Sequence, residues 1–353
     1  MSPPPLPLSF PRRNNRRLRL FAAALALGCL GACSPTPGVA LYVALDQQHS
    51  EHFVREFERK TGLHVTTRFD TEASKTVGLV SAIVEEAARP RCDVFWNNEL
   101  AHTVRLAQKG LLAPYDSPAA NSIPAAWRDP QRLWHGFAAR ARILIVNTDL
   151  IPDPKDRPRS LWDLIDPRWK GRCAIARPLT GTTLTHFAAL RLALGAAEFD
   201  RLVLGLFTNQ VVFLQSNGAT MRAVRDGQLA FALTDTDDFH VALRKGHKVA
   251  CVFPDQQEGG LGTMLIPNSV ALVKGGPNPE AARKLIDYIL SEEVEAALAA
   301  AASAQIPLRA GVEGPPERSI LRIHEFRPMA WDIAQTAASL EGFVKQMQER
   351  FSQ

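Results

Sequence analysis

The tightest constraint on the fold is a repeated alternation of short apolar runs with amphipathic segments, beginning at Val39. Residues 41–45 read as a strand, and 50–60 read as a helix with Phe53, Val54 and Phe57 on one face and Gly62 placed to stop it. Residues 63–69, rich in β-branched side chains, read as a second strand, and 77–88 as a helix with Val80, Ile83 and Val84 inward. A third strand over 92–96 precedes a helix over 101–109 that Gly110 ends. Such βα repeats build α/β sheets, whose ligand sites lie beyond the carboxyl ends of the strands.

Residues 137–147 carry a long strand pattern, read as a crossing from one lobe to another. A strand over 264–274 reads as the return crossing, followed by helices over 279–290 and 292–302. The expected organisation is lobe 1 over 39–140, lobe 2 over 141–263, a return to lobe 1 over 264–310, and a C-terminal extension over 311–353. The extension ends in a helix from about Trp331, where Leu340, Phe343, Val344, Met347 and Phe351 form a packing stripe.

Arg12, Arg13, Arg16, Arg17 and Arg19 precede an apolar stretch over 20–32, which is the pattern of a cleaved secretory signal over 1–32. The stretch is shorter than the roughly 20 residues of a membrane-spanning helix. It ends in Leu30, Gly31, Ala32 and Cys33, a lipobox-like string that predicts lipid attachment at Cys33 and a protein tethered outside the cytoplasmic membrane, in the periplasm or at the cell surface. About 320 residues then remain, more than one compact core holds, so two lobes are expected.

Removing those five arginines leaves 36 basic residues against 36 acidic ones, so the mature chain is formally neutral and gives no reason to invoke nucleic acid. Of five cysteines, Cys29 leaves with the signal and Cys33 takes the lipid. Cys92, Cys173 and Cys251 match no metal spacing, and buried free thiols are the expectation.

Several ordered strings resemble one known family. They are Leu41-Tyr42-Val43-Ala44-Leu45-Asp46, Arg68-Phe69-Asp70-Thr71-Glu72-Ala73-Ser74-Lys75-Thr76, Asp93-Val94-Phe95-Trp96-Asn97-Asn98-Glu99, the run from Ser160-Leu161-Trp162 to Trp169-Lys170-Gly171, and Leu233-Thr234-Asp235-Thr236-Asp237-Asp238. Together they resemble the extracellular solute-binding proteins of the ferric-iron-binding type. The resemblance implies a type II periplasmic binding protein fold: two lobes, each a sheet flanked by helices, joined by hinge crossover strands. It also implies an ABC permease and its ATPase as partners, and a monomer that closes around a small polar solute. No cofactor is implied; ferric ion enters only as transported cargo.

Five places set polar groups at strand ends or helix starts. The first is Asp46. The second holds Asp70, Thr71, Glu72 and Lys75, for which helix capping is the competing role. The third is Asn97, Asn98 and Glu99, where the resemblance implies that Glu99 is a metal ligand. The fourth is the turn Thr180, Gly181, Thr182, an anion seat by its free N–H groups and dipole. The resemblance adds Asn217 to this seat. Arg140 and Arg142 could complete the charge balance; Arg140 is expected to face the cleft, and a surface or interlobe salt bridge is the competing role for Arg142.

The fifth place is Asp235, Asp237 and Asp238, which repel one another unless a cation compensates them. Ferric-binding relatives carry adjacent tyrosines at this spot; Tyr42, Tyr115 and Tyr288 are the chain's three tyrosines, and none is adjacent to another. Asp237 and Asp238 join Glu99 as expected metal ligands. Two cargoes fit these parts: a ferric ion with a small anion, suited to oxygen ligands, or an organic solute bearing a phosphate or phosphonate and an amine. No GxSxG, P-loop, GxGxxG, paired CxxC or HExxH string is present, so an enzyme is not expected. A phosphoester hydrolase built on the aspartates is the minor alternative.

Overall fold

The computed structural model describes Met1 and residues 38–45, 47–70 and 77–351. The expectations for the signal over 1–32, Cys33, Asp46, Thr71, Glu72 and Lys75 lie outside the described residues. The described residues from Gly38 to Phe351 form one compact unit.

Lobe 1 opens with β1 (Gly38–Val43), α1 (Gln47–Thr61), β2 (His64–Phe69), α2 (Val77–Glu85), β3 (Val94–Asn97) and α3 (Leu100–Gln108). The β-branched and aromatic strands pair in parallel, β2 with β1 and β1 with β3, as βα repeats require. Phe53, Val54 and Phe57 of α1 bury their shared face against Leu41, Val43 and Val94, so the 3.6-residue period of the helix meets the two-residue period of the sheet.

The short β4 (Leu112–Ala113) leads to β5 (His135–Asn147), 13 residues buried throughout, over the run that reads in the sequence as one long strand. Lobe 2 follows with β6 (Cys173–Ala176), α4 (Gly181–Thr208), β7 (Val212–Leu214), α5 (Asn217–Arg225), β8 (Phe231–Asp235), α6 (Thr236–Arg244) and β9 (Val249–Val252). The chain returns along β10 (Leu265–Val273) to α7 (Pro279–Ile289) and α8 (Glu292–Ala300), and ends in α9 (Ile333–Phe351). The strand order β2-β1-β3-β10-β5-β8-β6-β7, with β4 beside β10 and β9 beside β5, makes β5 and β10 the antiparallel pair between the lobes.

That pair is irregular where the lobes meet. Ala138 has φ of 33°, a conformation that disfavours an L side chain, and the register shifts between Pro267 and Asn268. A buried polar network holds the irregularity. Glu295 accepts from the N–H groups of Ala138 (2.9 Å) and Leu308 (2.8 Å) and pairs with Arg309 at 2.5 Å. Asn268 donates to the Ala138 carbonyl.

Residues 304–308, expected to belong with lobe 1, also cross to this strand pair. Ala139 and Ile306 exchange backbone hydrogen bonds at 2.7 Å, and Ala304, Ile306 and Leu308 enter the apolar cluster of Ile143 and Phe239. Cys92 and Cys173 are buried free thiols and Cys251 is a half-buried one. Burial pushes the Cys173 thiol up to about 12.

Candidate functional site

Carboxyl ends of β6 and β8 and the starts of three helices enclose a cavity of about 270 Å³. Leu45 and Asn98 reach it from lobe 1, Arg140 from the crossing strand, and Thr180–Thr183, Ser216–Gly218, Asp235, Asp237 and Asp238 from lobe 2. It therefore lies between the lobes, at the position that α/β topology favours.

Each helix start has a local cause. Thr180 is the N-cap of α4 in extended backbone, and Gly181 follows at φ of 58°, a left-handed turn that glycine tolerates without Cβ strain. Ser216 caps α5 through its hydroxyl, which accepts from the Ala219 N–H at 3.2 Å. Asp235 occupies the N-cap of α6, but its carboxylate does not cap that helix. It turns instead toward β5.

Arg142 is fully buried and donates through Nη1 to Asp235 Oδ1 at 2.5 Å. The competing role of Arg142 in a surface salt bridge does not hold: positions 140 and 142 share one face of β5, and both guanidinium groups reach Asp235. Asp235 Oδ2 accepts from Thr182 Oγ1 at 2.8 Å, Asn217 Nδ2 at 3.1 Å and Arg140 Nη1 at 3.5 Å. Burial alone would raise the Asp235 pKa, but Arg142, Arg140 and the Thr182 hydroxyl outweigh it and hold the carboxyl below its usual range. Burial, reinforced by Arg142, keeps His186 well below the usual imidazole value, and His186 Nδ1 lies 3.5 Å from Arg142 Nε.

Donors and acceptors at the predicted anion seat can be followed atom by atom. Thr182 Oγ1 donates to Asp235 and accepts from Arg142 at 3.1 Å and Asn217 at 2.7 Å, which uses its capacity. Thr183 Oγ1 accepts from Arg142 at 3.1 Å and donates to Asn217 Oδ1 at 3.0 Å. The side chains of Thr182, Thr183 and Asn217 therefore lock the floor of the seat. The donors that remain at this place are backbone N–H groups that begin α4 and α5, groups of a kind that can receive an anion. Arg177 and Arg222 also line the cavity. Neither had been singled out from the sequence, although Arg177 directly follows the end of β6, a position where such a residue is to be looked for.

Asp237 and Asp238 face the cleft from the first turn of α6 and are half-buried. Asp237 lies 3.7 Å from Arg140 Nη1, and Asp238 accepts from Thr234 Oγ1 at 2.7 Å. One carboxylate oxygen from each of Asp235, Asp237 and Asp238 falls within 4.8 Å of the others. Asp235 is buried and paired with two arginines, whereas Asp237 and Asp238 are half-buried at the cavity wall.

The third predicted place divides. Asn98 lines the cavity, and its carbonyl accepts from Arg140 Nη2, tying lobe 1 to the crossing strand. Asn97 is buried, bonding the Glu99 backbone through Nδ2 and Oδ1 and reaching Thr103 Oγ1 at 3.1 Å. Glu99 is also wholly buried; its two oxygens accept from the N–H groups of Ala101 and His102, each at 3.1 Å. The geometry thus makes Glu99 the N-cap of α3 and takes it out of the set that faces the cleft. Asp70, half-buried, stands directly after β2, outside the residues that line the cavity. The tyrosines are engaged elsewhere: Tyr42 bonds Glu86 at 2.8 Å, Tyr115 bonds Asp287 at 2.9 Å, and Tyr288 lies under Lys60.

Residues 101–336 match the profile of the family described as bacterial extracellular solute-binding protein. Iron uptake protein A1 of Synechocystis is 28% identical, over 93% of this chain and 94% of that protein. The major ferric iron-binding protein of Neisseria meningitidis serogroup A is 26% identical, over 83% of this chain and 86% of that one. Among solved structures, iron-bound HitA from Pseudomonas aeruginosa superposes with a TM-score of 0.78 at 27% identity, covering 88% of this chain and 99% of that chain.

Proposed function

Because this chain belongs to the bacterial extracellular solute-binding protein family, we propose that it captures a ferric ion together with a small anion and delivers it to an ABC importer. The observation that carries this reading is the juxtaposition of Asp237 and Asp238 with the helix starts at Gly181 and Asn217, a cation position beside an anion position in one cavity. Carboxylate oxygens suit a hard trivalent ion. The anion supplies further oxygen ligands and rests on backbone N–H groups, with Arg140 completing its charge balance. The relatives that carry iron in their names support the same cargo.

In this reading carboxylates take the place of phenolates, so the iron-loaded protein lacks the visible absorption of tyrosinate bound to iron. The cavity also holds Arg140, Arg177 and Arg222, a charge suited to a phosphate or phosphonate bearing an amine that would sit on Asp237. Calorimetric titration with ferric citrate, and separately with 2-aminoethylphosphonate, decides between the two. Ferric citrate binding that is lost in the Asp237→Asn, Asp238→Asn double variant supports the first reading; binding of the phosphonate alone replaces it with the second. Turnover of a phosphomonoester would contradict both.

The proposed mechanism is closure about β5 and β10, in which cargo bridging the lobes shifts the population toward a form that a permease recognises. The protein acts as a monomer, held outside the cytoplasmic membrane by lipid on Cys33. Labelling with a radioactive fatty acid in cells tests the anchor, and label retained in a Cys33→Ser variant argues against it.

A further inference from the structure

The C-terminal helix α9 lies against α3 of lobe 1 and α4 of lobe 2 at once. Leu340, Phe343 and Met347 join Leu100 and Val104 of α3 to Phe187 and Phe199 of α4 in one apolar cluster. The two helices it touches are those whose first turns meet the cavity, α3 directly after Asn98 and α4 at Gly181.

The two contacts differ in kind. Toward lobe 2, Phe343 packs on Phe199 with ring centroids 5.7 Å apart, and Phe351 sits 5.2 Å from Phe207 and 4.7 Å from Phe213. Arg350 pairs with Asp200 at 2.7 Å. The segment leading into α9 is fixed to the same lobe, since Arg327 donates to the carbonyls of Asp255, Gln257 and Gly260 and Met329 bonds Thr263. Toward lobe 1, the polar ties are few and at the rim: Gln108 Nε2 to the Ala334 carbonyl at 2.9 Å, and Arg105 to Glu341, whose side chain is 60% exposed.

We propose that α9 is an interlobe strap, anchored on lobe 2 and releasable from α3, whose hold on α3 sets how readily the cleft opens. Apolar packing meets both helices, but lobe 2 adds three aromatic pairs and an ion pair, while the polar ties that α3 adds lie at the rim and exchange readily with water. Opening about β5 and β10 moves α3 relative to α4, so α9 must let go of one of them, and the weaker hold is on α3. The inference rests on the hinge reading above and is independent of what the cargo is.

The test is a distance measurement without cargo. Spin labels at Arg55→Cys on α1 and Lys248→Cys beside β9, in a Cys251→Ala background, report the separation of the lobes by pulsed electron resonance. Glu341→Arg sets two cations against each other and is expected to raise the ratio of open to closed molecules about fivefold. The double variant Glu341→Arg, Arg105→Glu restores the pair and should return the distribution to that of the wild type. Gln108→Ala should shift it the same way by less. The strap is overturned if Glu341→Arg, folded by circular dichroism, gives the wild-type distribution, or if the double variant fails to reverse its effect. A wild type that shows one unchanging distance without cargo, with ferric citrate and with 2-aminoethylphosphonate removes the hinge reading and the strap together.

Discussion

Replacing Asp235 and Asp237 one at a time separates the scaffold of the site from its working surface. Asp235 is 2% exposed and accepts from Arg142, Thr182, Asn217 and Arg140. Asp235→Ala strands the guanidinium of Arg142, which is 0% exposed, with Thr182, Thr183 and His186 as its remaining side-chain hydrogen-bond partners among the described residues. Leaving a buried charge without its partner costs about 3 to 5 kcal/mol. At roughly 2 °C per kcal/mol for a chain of this size, the melting temperature falls by about 6 to 10 °C. The Asp237 side chain is 25% exposed and lies 3.7 Å from Arg140 Nη1, so Asp237→Asn changes stability by less than about 1 kcal/mol. On the proposed function its effect falls on cargo affinity. Thermal unfolding followed by circular dichroism at neutral pH, without cargo, measures both variants. The reasoning is refuted if Asp235→Ala melts within about 2 °C of the wild type, or if Asp237→Asn falls as far as Asp235→Ala.

Glu99→Ala removes the α3 cap and should cost about 0.5 to 2 kcal/mol in urea unfolding while leaving ferric citrate affinity within twofold; a large affinity loss at wild-type stability would return Glu99 to the ligand set. Glu295→Gln breaks the buried pair with Arg309 that braces the irregular crossing, with an expected cost of about 3 to 5 kcal/mol in the same assay; a change below about 1 kcal/mol would show that the neutral amide suffices there. Asp235 and His186 both titrate lower in the folded state than in the unfolded one, so the stability they contribute is lost as pH falls. The decline begins below about pH 6.5 from His186 and steepens below about pH 4 from Asp235. Asp235→Asn should flatten the acid limb, and a wild type equally stable at pH 3 and pH 7 would exclude this linkage.

The parts of this molecule that could be read in the sequence are those set by local periodicity or by unlike residues close together in the chain. The βα repeat of lobe 1, the long crossing strand and the turn at Thr180 are of this kind, as is the three-aspartate cluster. What resisted reading depends on contacts between distant residues. Asp235 differs from Asp237 because Arg142, 93 positions away, lies beneath one of them. Glu99 carries a carboxylate that suits a metal, and only the start of α3 directly after it assigns that group to capping. The crossing of residues 304–308 escaped because they are too short a run for periodicity to place; their alternation acquires meaning only when Ile306 pairs with Ala139. The stripe on α9 was legible as packing, but nothing in its spacing says that it touches both lobes.

Native mass spectrometry of the protein purified from its own host without refolding, before and after chelation, tests the proposed cargo most directly. The account predicts a mass excess of one iron plus one small anion, removed by the chelator and absent from the Asp237→Asn, Asp238→Asn double variant. A chelator-resistant organic mass bearing phosphorus would contradict it.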